Sequence, residues 1–371
     1  MKLHKVVLTI GQLGLGGAER QLVLLAIGLR RAGVDVTVVC QRGGPRLEEL
    51  TRAGVPVHVV SPSPWSRRFP RLWILPDTVR SLLLLRQLRP QVVHAYLFHA
   101  YVFMAVVARV TRVPVMVAGR RSLGIFKAGS RRLLLAERLA TRITDAVVPN
   151  SEAVALDTLE RERLDPGKLR VIPNALPPEL FDEAVPAALD VPAPRVVCVA
   201  NLHHYKGHRY LIEAAARLRA EGRLLSLVLV GDGPERASLE EQARRSGVPT
   251  AFLGRRLDVP SILAAGDIFA LPSLQEGMSN AVMEAMAAGV PVVATDVGGN
   301  AEALAGNGLL CPPADAGALA DRLRTLVDDD ALRRQFAERA REHARTAFTL
   351  DALTTAHIAL YEELLEKRCA G

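Results

Sequence analysis

The sequence has few aromatic residues and few cysteines, and each shortage argues against a class of protein. Aromatic residues make up 4% of the 371-residue chain, which disfavours a nucleic-acid module that stacks bases on aromatic rings. The four cysteines, Cys40, Cys198, Cys311 and Cys369, form no CxxC pair. This spacing argues against a zinc site and predicts buried thiols in a reducing compartment.

Long apolar runs are also absent from the sequence. No run reaches the ~18 residues that a membrane-spanning helix needs. The N-terminus lacks the apolar region and the cleavage site of a signal peptide. The sequence therefore predicts a cytoplasmic protein that is either free or peripheral at the inner face of a membrane.

The positive charge of the chain is concentrated in its first half. Residues 1–180 contain 27 Lys and Arg against 13 Asp and Glu, and the remainder contains 20 against 26. The net charges of +14 and −6 add to the +8 of the whole chain. This asymmetry indicates that the first half meets an anionic partner, either a phosphate-bearing substrate or a membrane surface. An arginine-rich background composition is the alternative explanation.

Short apolar strand patterns alternate with helix patterns along the chain, first over residues 6–149 and again from residue 196. This alternation predicts an α/β protein with two parallel sheets and crossover helices. A proline-rich stretch lies between the two runs and predicts a linker. The predicted organisation is a Rossmann-like domain at 1–180, a linker at 181–195, a second Rossmann-like domain at 196–350, and a C-terminal helix at 351–371 that packs back on the first domain.

Residues 271–289 contain the strongest local signal for a ligand site. A strand pattern leads into a polar loop at 273–277, and a helix pattern follows from Ser279 and ends before Gly289. Glu276 in the loop and Glu284 in the helix then flank the positive end of that helix. Such a helix end suits a phosphorylated, hydroxyl-rich ligand. A solvated surface loop with two exposed glutamates is the alternative.

Two further loops follow strands and carry residues suited to phosphate. The first strand is followed by Gly14, Gly16 and Gly17 and then by a helix pattern, an arrangement that brings a ligand to a helix N-terminus. No acidic residue ends the second strand, so a dinucleotide site is weakly supported, and a tight packing turn is the alternative. Lys206 precedes Gly207 after the first strand of the second run and suits a diphosphate contact. A solvated loop lysine is the alternative there.

Six motifs are spread along nearly the whole chain: Gly16-Gly17-Ala18-Glu19, Val171-Ile-Pro-Asn174, Lys206-Gly207, Gly231-Asp-Gly-Pro, Glu276-Gly277 with Glu284 at E-x7-E spacing, and Ala287-Ala-Gly-Val-Pro-Val-Val-Ala294. In this order they resemble the retaining family-4 glycosyltransferases of the GT-B fold (glycosyl transferases group 1). The resemblance implies two Rossmann-like domains whose parallel sheets face across a cleft, with the acceptor side in the first domain and the nucleotide-sugar side in the second.

The resemblance also implies an activity. The enzyme would move a sugar from a nucleotide-diphosphate donor of UDP or GDP type to an acceptor hydroxyl, retaining the anomeric configuration, without a metal or another cofactor. A lipid-linked or cell-envelope glycan is the acceptor hypothesis. A GT-B sugar-nucleotide epimerase and a catalytically silent nucleotide-sugar-binding protein are the alternatives.

The family's donor-binding roles carry over to matching positions of this sequence. Glu276 would contact the donor sugar, helped by the backbone of Gly277, Met278 and Ser279, and Glu284 would hold the ribose. Lys206 would meet the diphosphate, on which Gly16 and Gly17 would close. Asn201, Gly254 and Arg255 complete the predicted donor set, with the loop from Arg255 lying along the base.

The sequence departs from the family at two places. An arginine that often precedes the lysine is replaced by a segment with Asn201, His203 and His204. A histidine expected after the strand at 114–118 is replaced by Gly119-Arg120-Arg121. We therefore predict that His203, His204, Arg120 or Arg121 takes the place of the missing arginine beside the diphosphate.

Two histidines near the end of the strand at 92–96, His94 and His99, are candidates to face the acceptor. For each of them a structural histidine is the alternative.

Two basic stretches predict contact with an anionic lipid surface. Residues 65–74 interleave aromatic residues with arginines, and residues 127–142 form a basic amphipathic helix pattern. The alternative is that the leucines of this helix belong to the core and its arginines to an ordinary solvated face. No nucleic-acid partner is expected.

Overall fold

The computed structural model describes residues 2–61, 70–124 and 129–370, apart from the side chains of residues 70–74 and 370. The chain divides into two compact units. The first contains residues 1–175 together with 350–371, and the second contains residues 176–349.

The first unit is built on a sheet of six parallel strands. Its strands are β1 Lys5–Gln12, β2 Asp35–Arg42, β3 Val57–Val59, β4 Val92–Tyr96, β5 Val115–Arg120 and β6 Ala146–Pro149. Its helices before the second unit are α1 Gly17–Arg31, α2 Leu47–Arg52, α3 Pro70–Leu88, α4 Phe98–Val110, α5 Arg131–Arg142 and α6 Glu152–Glu162, followed by a 3-10 turn at Pro166–Lys168. The strand order is β3-β2-β1-β4-β5-β6, and all pairs are parallel.

The second unit repeats this plan with its own six-stranded parallel sheet. Its strands are β7 Arg195–Val199, β8 Ser226–Val230, β9 Thr250–Gly254, β10 Ile268–Leu271, β11 Val292–Thr295 and β12 Leu309–Cys311. Its helices are α7 His208–Ala220, α8 Arg236–Ser246, α9 Val259–Ala264, α10 Asn280–Ala287, α11 Asn300–Leu304, α12 Ala316–Asp328 and α13 Asp330–Ala347, with 3-10 turns at Pro178–Phe181 and His204–Lys206. The strand order is β12-β11-β10-β7-β8-β9.

The last helix, α14 Leu350–Ala370, belongs to the first unit although the second unit precedes it in the chain. Its residues Leu353, Leu360, Tyr361 and Leu365 are buried in the same apolar cluster as α1 and the strands of the first sheet. Helix α14 and residues 1–175 therefore share one apolar core.

Apolar side chains cover both faces of the two sheets, as parallel sheets require. In the first unit, one face packs against α1, α2 and α14, and the other face packs against α3, α4, α5 and α6. The prediction of two Rossmann-like α/β halves with parallel sheets is confirmed by these two sheets.

The stretch predicted as a linker, 181–195, lies within the second unit and is not a free connection. Phe181, Leu189 and Val191 pack against that unit's core, and the carbonyl of Val191 accepts a hydrogen bond from Arg195 Nε at 2.9 Å. Its prolines exclude a regular element, but its apolar residues still bury surface.

Helix α3 begins earlier than its sequence pattern predicts. The pattern indicates a start at Pro76, because proline is tolerated in a first turn, yet the helix runs from Pro70 and contains Pro76. Among the described residues, no helix is long and apolar enough to cross a membrane.

Candidate functional site

Each sheet has a point where the strand order reverses, and ligands of open α/β sheets bind beside such points at the carboxyl ends of the strands. In the second unit this point lies between the neighbouring strands β7 and β10. Lys206 follows β7 and Glu276 follows β10. The two loops singled out in the sequence are thus neighbours at the carboxyl edge of one sheet.

Lys206 and Glu276 form an ion pair at this edge. Lys206 Nζ lies 2.6 Å from Glu276 Oε1, and the lysine and glutamate side chains are 17% and 9% exposed. Ser273 Oγ donates a second hydrogen bond to the same Oε1 atom at 2.7 Å. Because ammonium and carboxylate meet with little solvent between them, their attraction is stronger than that of an exposed pair.

Backbone contacts fix the two loops to each other. Leu274 N donates to Tyr205 O at 2.7 Å. Gly207 has φ +69°, and a Cβ at this position would overlap the carbonyl oxygen of Pro272. Both the left-handed conformation and the close backbone approach require glycine there. The backbone on either side of Lys206 is therefore fixed to the loop after β10, which keeps the lysine side chain close to Glu276.

The helix after the β10 loop begins as its sequence predicts. Ser279 is the N-cap of α10, and its side chain accepts a hydrogen bond from Val282 N at 3.4 Å. Gly277, Met278 and Ser279 are buried just before the helix. The remaining N–H groups of the first turn and the helix dipole place partial positive charge at this end, beside Glu276.

A third loop supports Glu276 from the end of β11. Gly299 N donates to Gly277 O at 2.5 Å, and Thr295 Oγ1 donates to Ser273 O at 2.5 Å. A Cβ at Gly298, where φ is +55°, would overlap Glu276 O. The loops after three neighbouring strands of the sheet, β11, β10 and β7, therefore hold Glu276 in place.

Two buried titratable groups lie behind the ion pair. Burial raises the pKa of the Cys198 thiol to about 12, against the opposing effect of nearby Lys206. Burial, and then Lys206, lowers the pKa of His208 to about 4. Both groups are therefore neutral near neutral pH, and the charge of this region is carried by Lys206 and Glu276.

The other predicted donor residues occupy the same half of the second unit. Glu284 is half-buried on α10, while Asn201 is exposed just after β7. Gly254 ends β9 and accepts a hydrogen bond from Gly231 N at 2.8 Å, which joins the ends of β8 and β9. Arg255 follows and is exposed. All of these residues except Glu284 lie at or beyond the carboxyl ends of strands.

In the first unit the strand order reverses between β1 and β4. Gly16 is the N-cap of α1 directly after the β1 loop, and Gly17 begins the helix. A Cβ at Gly16 would overlap the carboxylate of Glu19. A larger residue at position 16 would therefore require the Glu19 side chain to move, whereas the backbone near Gly16 leaves room for it.

Arg121 lies just beyond β5 and is held by polar groups. Its Nη1 donates to Asn174 Oδ1 at 3.1 Å and its Nη2 to Tyr96 OH at 3.0 Å. Its guanidinium carbon lies 4.9 Å from the centre of the Tyr96 ring. Asn150 Nδ2 also reaches Asn174 Oδ1, at 3.4 Å. The half-buried Arg121 is therefore a preorganised cation near the carboxyl edge of the first sheet.

Arg120 does not fit the prediction that it reaches a ligand. Its side chain is 8% exposed, and two nitrogens donate to Glu162 at 3.0 and 2.9 Å. Its Nη2 lies 3.5 Å from Glu137 Oε1. Burial alone would lower the pKa of Arg120, but Glu162, Tyr101 and Glu137 raise it on balance. Successive strand residues point to opposite faces, so Arg120 enters the helix layer while Arg121 does not.

His94 does not fit the prediction that it faces an acceptor either. It is fully buried, its Nδ1 lies 2.7 Å from Tyr361 OH, and its ring stacks at 5.6 Å on His357 of α14. Burial, then His357 and Arg121, lowers its pKa well below the usual value. His94 is therefore a buried structural histidine, which is the alternative given for it from the sequence. His99, by contrast, is exposed in the first turn of α4.

Several supporting groups in these sites are not among the residues predicted from the sequence. Ser273, Thr295 and Gly298 position Glu276, and Tyr96 positions Arg121 together with Asn174, which belongs to the motif at 171–174. Ser273 could have been found, because it occupies the loop already singled out and directly follows the strand pattern. Thr295 and Gly298 carry no local signal, since their role depends on which strands are neighbours.

The two stretches predicted to meet lipid are described only in part. Residues 65–69 and 127–128 lie outside the described residues, as do the side chains of 70–74. In the part of the chain that the structure describes, no group of three or more His, Cys, Asp or Glu side chains could hold a metal ion.

Comparisons with known proteins match both halves of the chain. A family model described as "Glycosyltransferase Family 4" matches residues 15–180, and one described as "Glycosyl transferases group 1" matches residues 193–329. A glycogen synthase of Mycobacterium tuberculosis is 29% identical over 378 residues, covering 94% of this chain and 91% of that protein.

A second relative is the lipopolysaccharide core biosynthesis glycosyltransferase LpsE of Rhizobium meliloti. It is 34% identical over 227 residues, covering 59% of this chain and 64% of that protein. Among solved structures, Anabaena Alr3699/HepE in complex with UDP superposes with a TM-score of 0.82 at 24% identity, covering 97% of this chain and all of that one.

Proposed function

We propose that this chain, which belongs to the glycosyltransferases of family 4 and group 1, moves a sugar from a nucleoside diphosphate to an acceptor hydroxyl with retention of anomeric configuration. The observation that carries the proposal is the Lys206–Glu276 ion pair beside the N-terminus of α10. One cation, one carboxylate and one helix end meet at the strand-order reversal of the second sheet. These groups complement a diphosphate attached to a hydroxyl-rich sugar.

The two charged groups have separate roles in the proposed reaction. The ammonium of Lys206 has three donors and attracts the diphosphate, whose negative charge grows as the sugar–oxygen bond breaks. The carboxylate of Glu276 accepts hydrogen bonds from sugar hydroxyls and fixes the orientation of the ring. Stabilising charge where it develops in the transition state is the largest contribution that such fixed groups make to catalysis.

The acceptor proton can leave without an enzyme base in this proposal. The leaving phosphate oxygen becomes more basic as the bond to the sugar lengthens, and it takes the proton of the incoming hydroxyl on the same face of the sugar. The new bond therefore forms on the face from which the old one broke, which gives retention.

Similar proteins support the choice of donor and of acceptor class. Anabaena Alr3699/HepE, which has this fold, is solved with UDP and also with UDP-glucose. The relatives named above include a glycogen synthase and a lipopolysaccharide core enzyme. We therefore propose a nucleoside-diphosphate sugar as the donor, of UDP or GDP type, and a glycan or a lipid-linked glycan as the acceptor.

A thermal-shift screen over UDP-, GDP- and ADP-sugars tests donor binding, because a ligand that binds only the folded state raises the melting temperature. We expect one nucleotide class to raise it in the wild type and to have little effect in Glu276→Gln and in Lys206→Met. Lys367→Met is the matched control, since it removes a lysine that pairs with Glu363 in the first unit. No shift with any sugar nucleotide would contradict the proposal.

The donor found in this screen then allows the reaction itself to be tested. Incubation with candidate acceptors should give free nucleoside diphosphate and a product whose anomeric configuration, read by NMR coupling constants, equals that of the donor. An inverted product would contradict retention. An epimerised sugar nucleotide formed without acceptor would favour an epimerase, and tight donor binding with no turnover would favour a silent binding protein.

A further inference from the structure

Three helices on one face of the first sheet carry exposed apolar residues at one-turn spacing. Helices α3, α4 and α5 pack against the same apolar cluster, with α4 in contact with both of the others. The exposed apolar residues are Leu75, Val79 and Leu83 on α3, Val106 and Val110 on α4, and Leu135 and Leu139 on α5. Residues four apart share one side of a helix, so each helix presents an outward apolar row.

The orientation of α5 is fixed by a buried charge. Glu137 is 1% exposed, and it faces inward toward Arg120 at 3.5 Å. Two residues along a helix correspond to a rotation of about 200°, so Leu135 and Leu139 on either side of Glu137 must face outward. They are 58% and 51% exposed. The alternative that all leucines of this helix belong to the core therefore does not hold for these two.

The charge around the apolar rows is almost entirely positive. Residues 75–88, 98–110 and 131–142 contain seven arginines and two acidic residues. Both acids are already paired, Asp77 with Ser61 and Arg80, and Glu137 with Arg120. Arg131, Arg132 and Arg142 are exposed on α5 itself. Leucine and valine side chains therefore alternate with cations on a surface that carries no exposed carboxylate from these helices.

A groove beside α5 is also lined by leucines and cations. Its volume is about 380 Å³, and its lining includes Leu135, Leu139 and four cations, Arg138, Arg142, Arg163 and Lys168. Two carboxylates also line it, Glu162, which is paired with Arg120, and the exposed Asp165, so the cations outnumber the acids by two. Lys168 and Arg138 donate to backbone carbonyls near the ends of α5 and α6, which fixes their positions without neutralising their charge. An anionic headgroup with an apolar tail matches a groove that has cations and two exposed leucines along it.

We propose that the outer face of α3, α4 and α5 is a docking surface for a lipid bilayer that contains anionic phospholipid. Arginines reach the phosphates while their apolar stems and the leucine and valine rows enter the acyl boundary. The uniform positive charge favours this occupant over a second copy of the same face, which would repel it. This inference does not rest on the proposed transfer reaction, since no catalytic residue lies on these helices.

Sedimentation with vesicles of phosphatidylcholine, with and without phosphatidylglycerol, tests the proposal on the full chain. The wild type should pellet with the anionic vesicles, remain in the supernatant with the neutral ones, and be released by high salt, which screens charge. Absence from the anionic pellet would overturn the proposal. Equal pelleting with both vesicle types would overturn the role given to the arginines.

Paired variants separate the apolar and the charged contributions. Leu135→Gln/Leu139→Gln and Arg131→Gln/Arg132→Gln should each weaken binding to anionic vesicles by roughly tenfold or more. The matched controls are Leu224→Gln/Leu257→Gln and Arg244→Gln/Arg245→Gln, which alter exposed leucines and exposed arginines of the second unit. Unchanged binding in both test variants, with unchanged circular dichroism, would overturn the assignment of the face.

The mass of the protein in solution tests the competing occupant. Sedimentation equilibrium should give a monomer for the wild type and for both variants in the absence of lipid. A dimer that the Leu135→Gln/Leu139→Gln variant dissociates would overturn the proposal and assign the face to a second copy of the chain. Retained donor-induced thermal shifts in both variants show that the second unit is unaffected.

Discussion

Lys206 and Glu276 neutralise each other's charge as long as no ligand group replaces one partner of the ion pair. They form an ion pair in a partly buried region where the Cys198 thiol and the His208 imidazole are both neutral near neutral pH. A donor diphosphate and a sugar hydroxyl would compete with this ion pair, so part of the binding energy is used to separate it. The pair should therefore behave as a unit in mutagenesis.

We expect Glu276→Gln and Lys206→Met each to lower kcat/KM on the order of 10²-fold or more, because each removes a fixed charge from the transition state. The double variant should lose much less than the product of the two single effects, since either single change leaves its partner unpaired. Initial rates at varied donor concentration measure all three. Additive losses, with Lys367→Met as the silent control, would show that the two groups act separately.

Gly207→Ala should destabilise the second unit by considerably more than Gly222→Ala. Both glycines have positive φ, +69° and +83°, so both alanine variants bear the cost of the left-handed conformation. Only at Gly207 does the added Cβ also overlap a carbonyl oxygen, that of Pro272, whereas nothing lies within 4 Å at Gly222. Urea unfolding of the two variants measures the difference. Equal losses of unfolding free energy in the two variants would mean that the loop carrying Pro272 can move away from the added Cβ at no cost in stability.

Turnover should survive treatment with EDTA. Lys206 and the N-terminus of α10 supply positive charge where a metal ion would otherwise bind the diphosphate. Assays with and without EDTA, and with added Mg²⁺ or Mn²⁺, measure this. A loss of activity that only a divalent ion restores would contradict the proposed role of Lys206 as the main diphosphate contact.

The sequence predicts the positions of the residues after β7 and β10 better than the side-chain directions of Arg120 and His94, and the reason is physical. Lys206, Glu276 and Ser279 follow strands and begin helices, and these positions are set by local patterns. Arg120 ends β5 and Arg121 follows it, so their side chains leave the backbone on opposite sides, and a one-residue shift of the strand would exchange their directions. The burial of His94 depends on α14, which follows it by more than 250 residues.

At the level of elements, helix α14 places His357 against His94 of β4. The rings of His357 and His94 stack with their centres 5.6 Å apart, and among the described residues neither ring's buried Nε2 atom has a hydrogen-bond partner. Tyr96, Tyr361 and Arg121 also face this pair. Burial, then Arg121, lowers the pKa of His357 to about 3. Two adjacent imidazolium ions beside Arg121 would be strongly unfavourable there.

The first unit should therefore lose stability in mild acid. Unfolded histidine binds a proton below about pH 6.5, whereas folded His357 does so only near pH 3. The unfolded state then holds more protons, and the free energy of unfolding falls as the pH drops through this window. Urea unfolding at several pH values measures the slope. His357→Gln should make it shallower, and His4→Gln, whose side chain is exposed, should leave it unchanged.

At the level of the whole molecule, the two units differ in how the chain builds them. The second unit is one continuous segment, 176–349, whereas the first needs both 1–175 and 350–371. Its core includes Leu353, Leu360, Tyr361 and Leu365 from α14. Removing this helix would expose apolar residues of α1 and leave His94 without Tyr361.

A fragment of residues 176–349 should fold alone and unfold cooperatively, while a fragment of residues 1–175 should not. Adding a peptide of residues 350–371 should restore cooperative unfolding to the shorter first fragment. Circular dichroism and thermal melts measure both. A cooperative melt of residues 1–175 without the peptide would show that α14 is dispensable for the first core.

The position of α14 also sets the order in which the chain matures during its synthesis. Domains generally fold from the N-terminus as the ribosome releases them, but here residues 1–175 must wait for residues 350–371. The second unit is released whole while the first still lacks the helix that covers its strands. A chain whose synthesis stops before residue 350 would therefore carry a folded second unit and an open first unit, and chaperones that bind apolar surface would bind within residues 1–175.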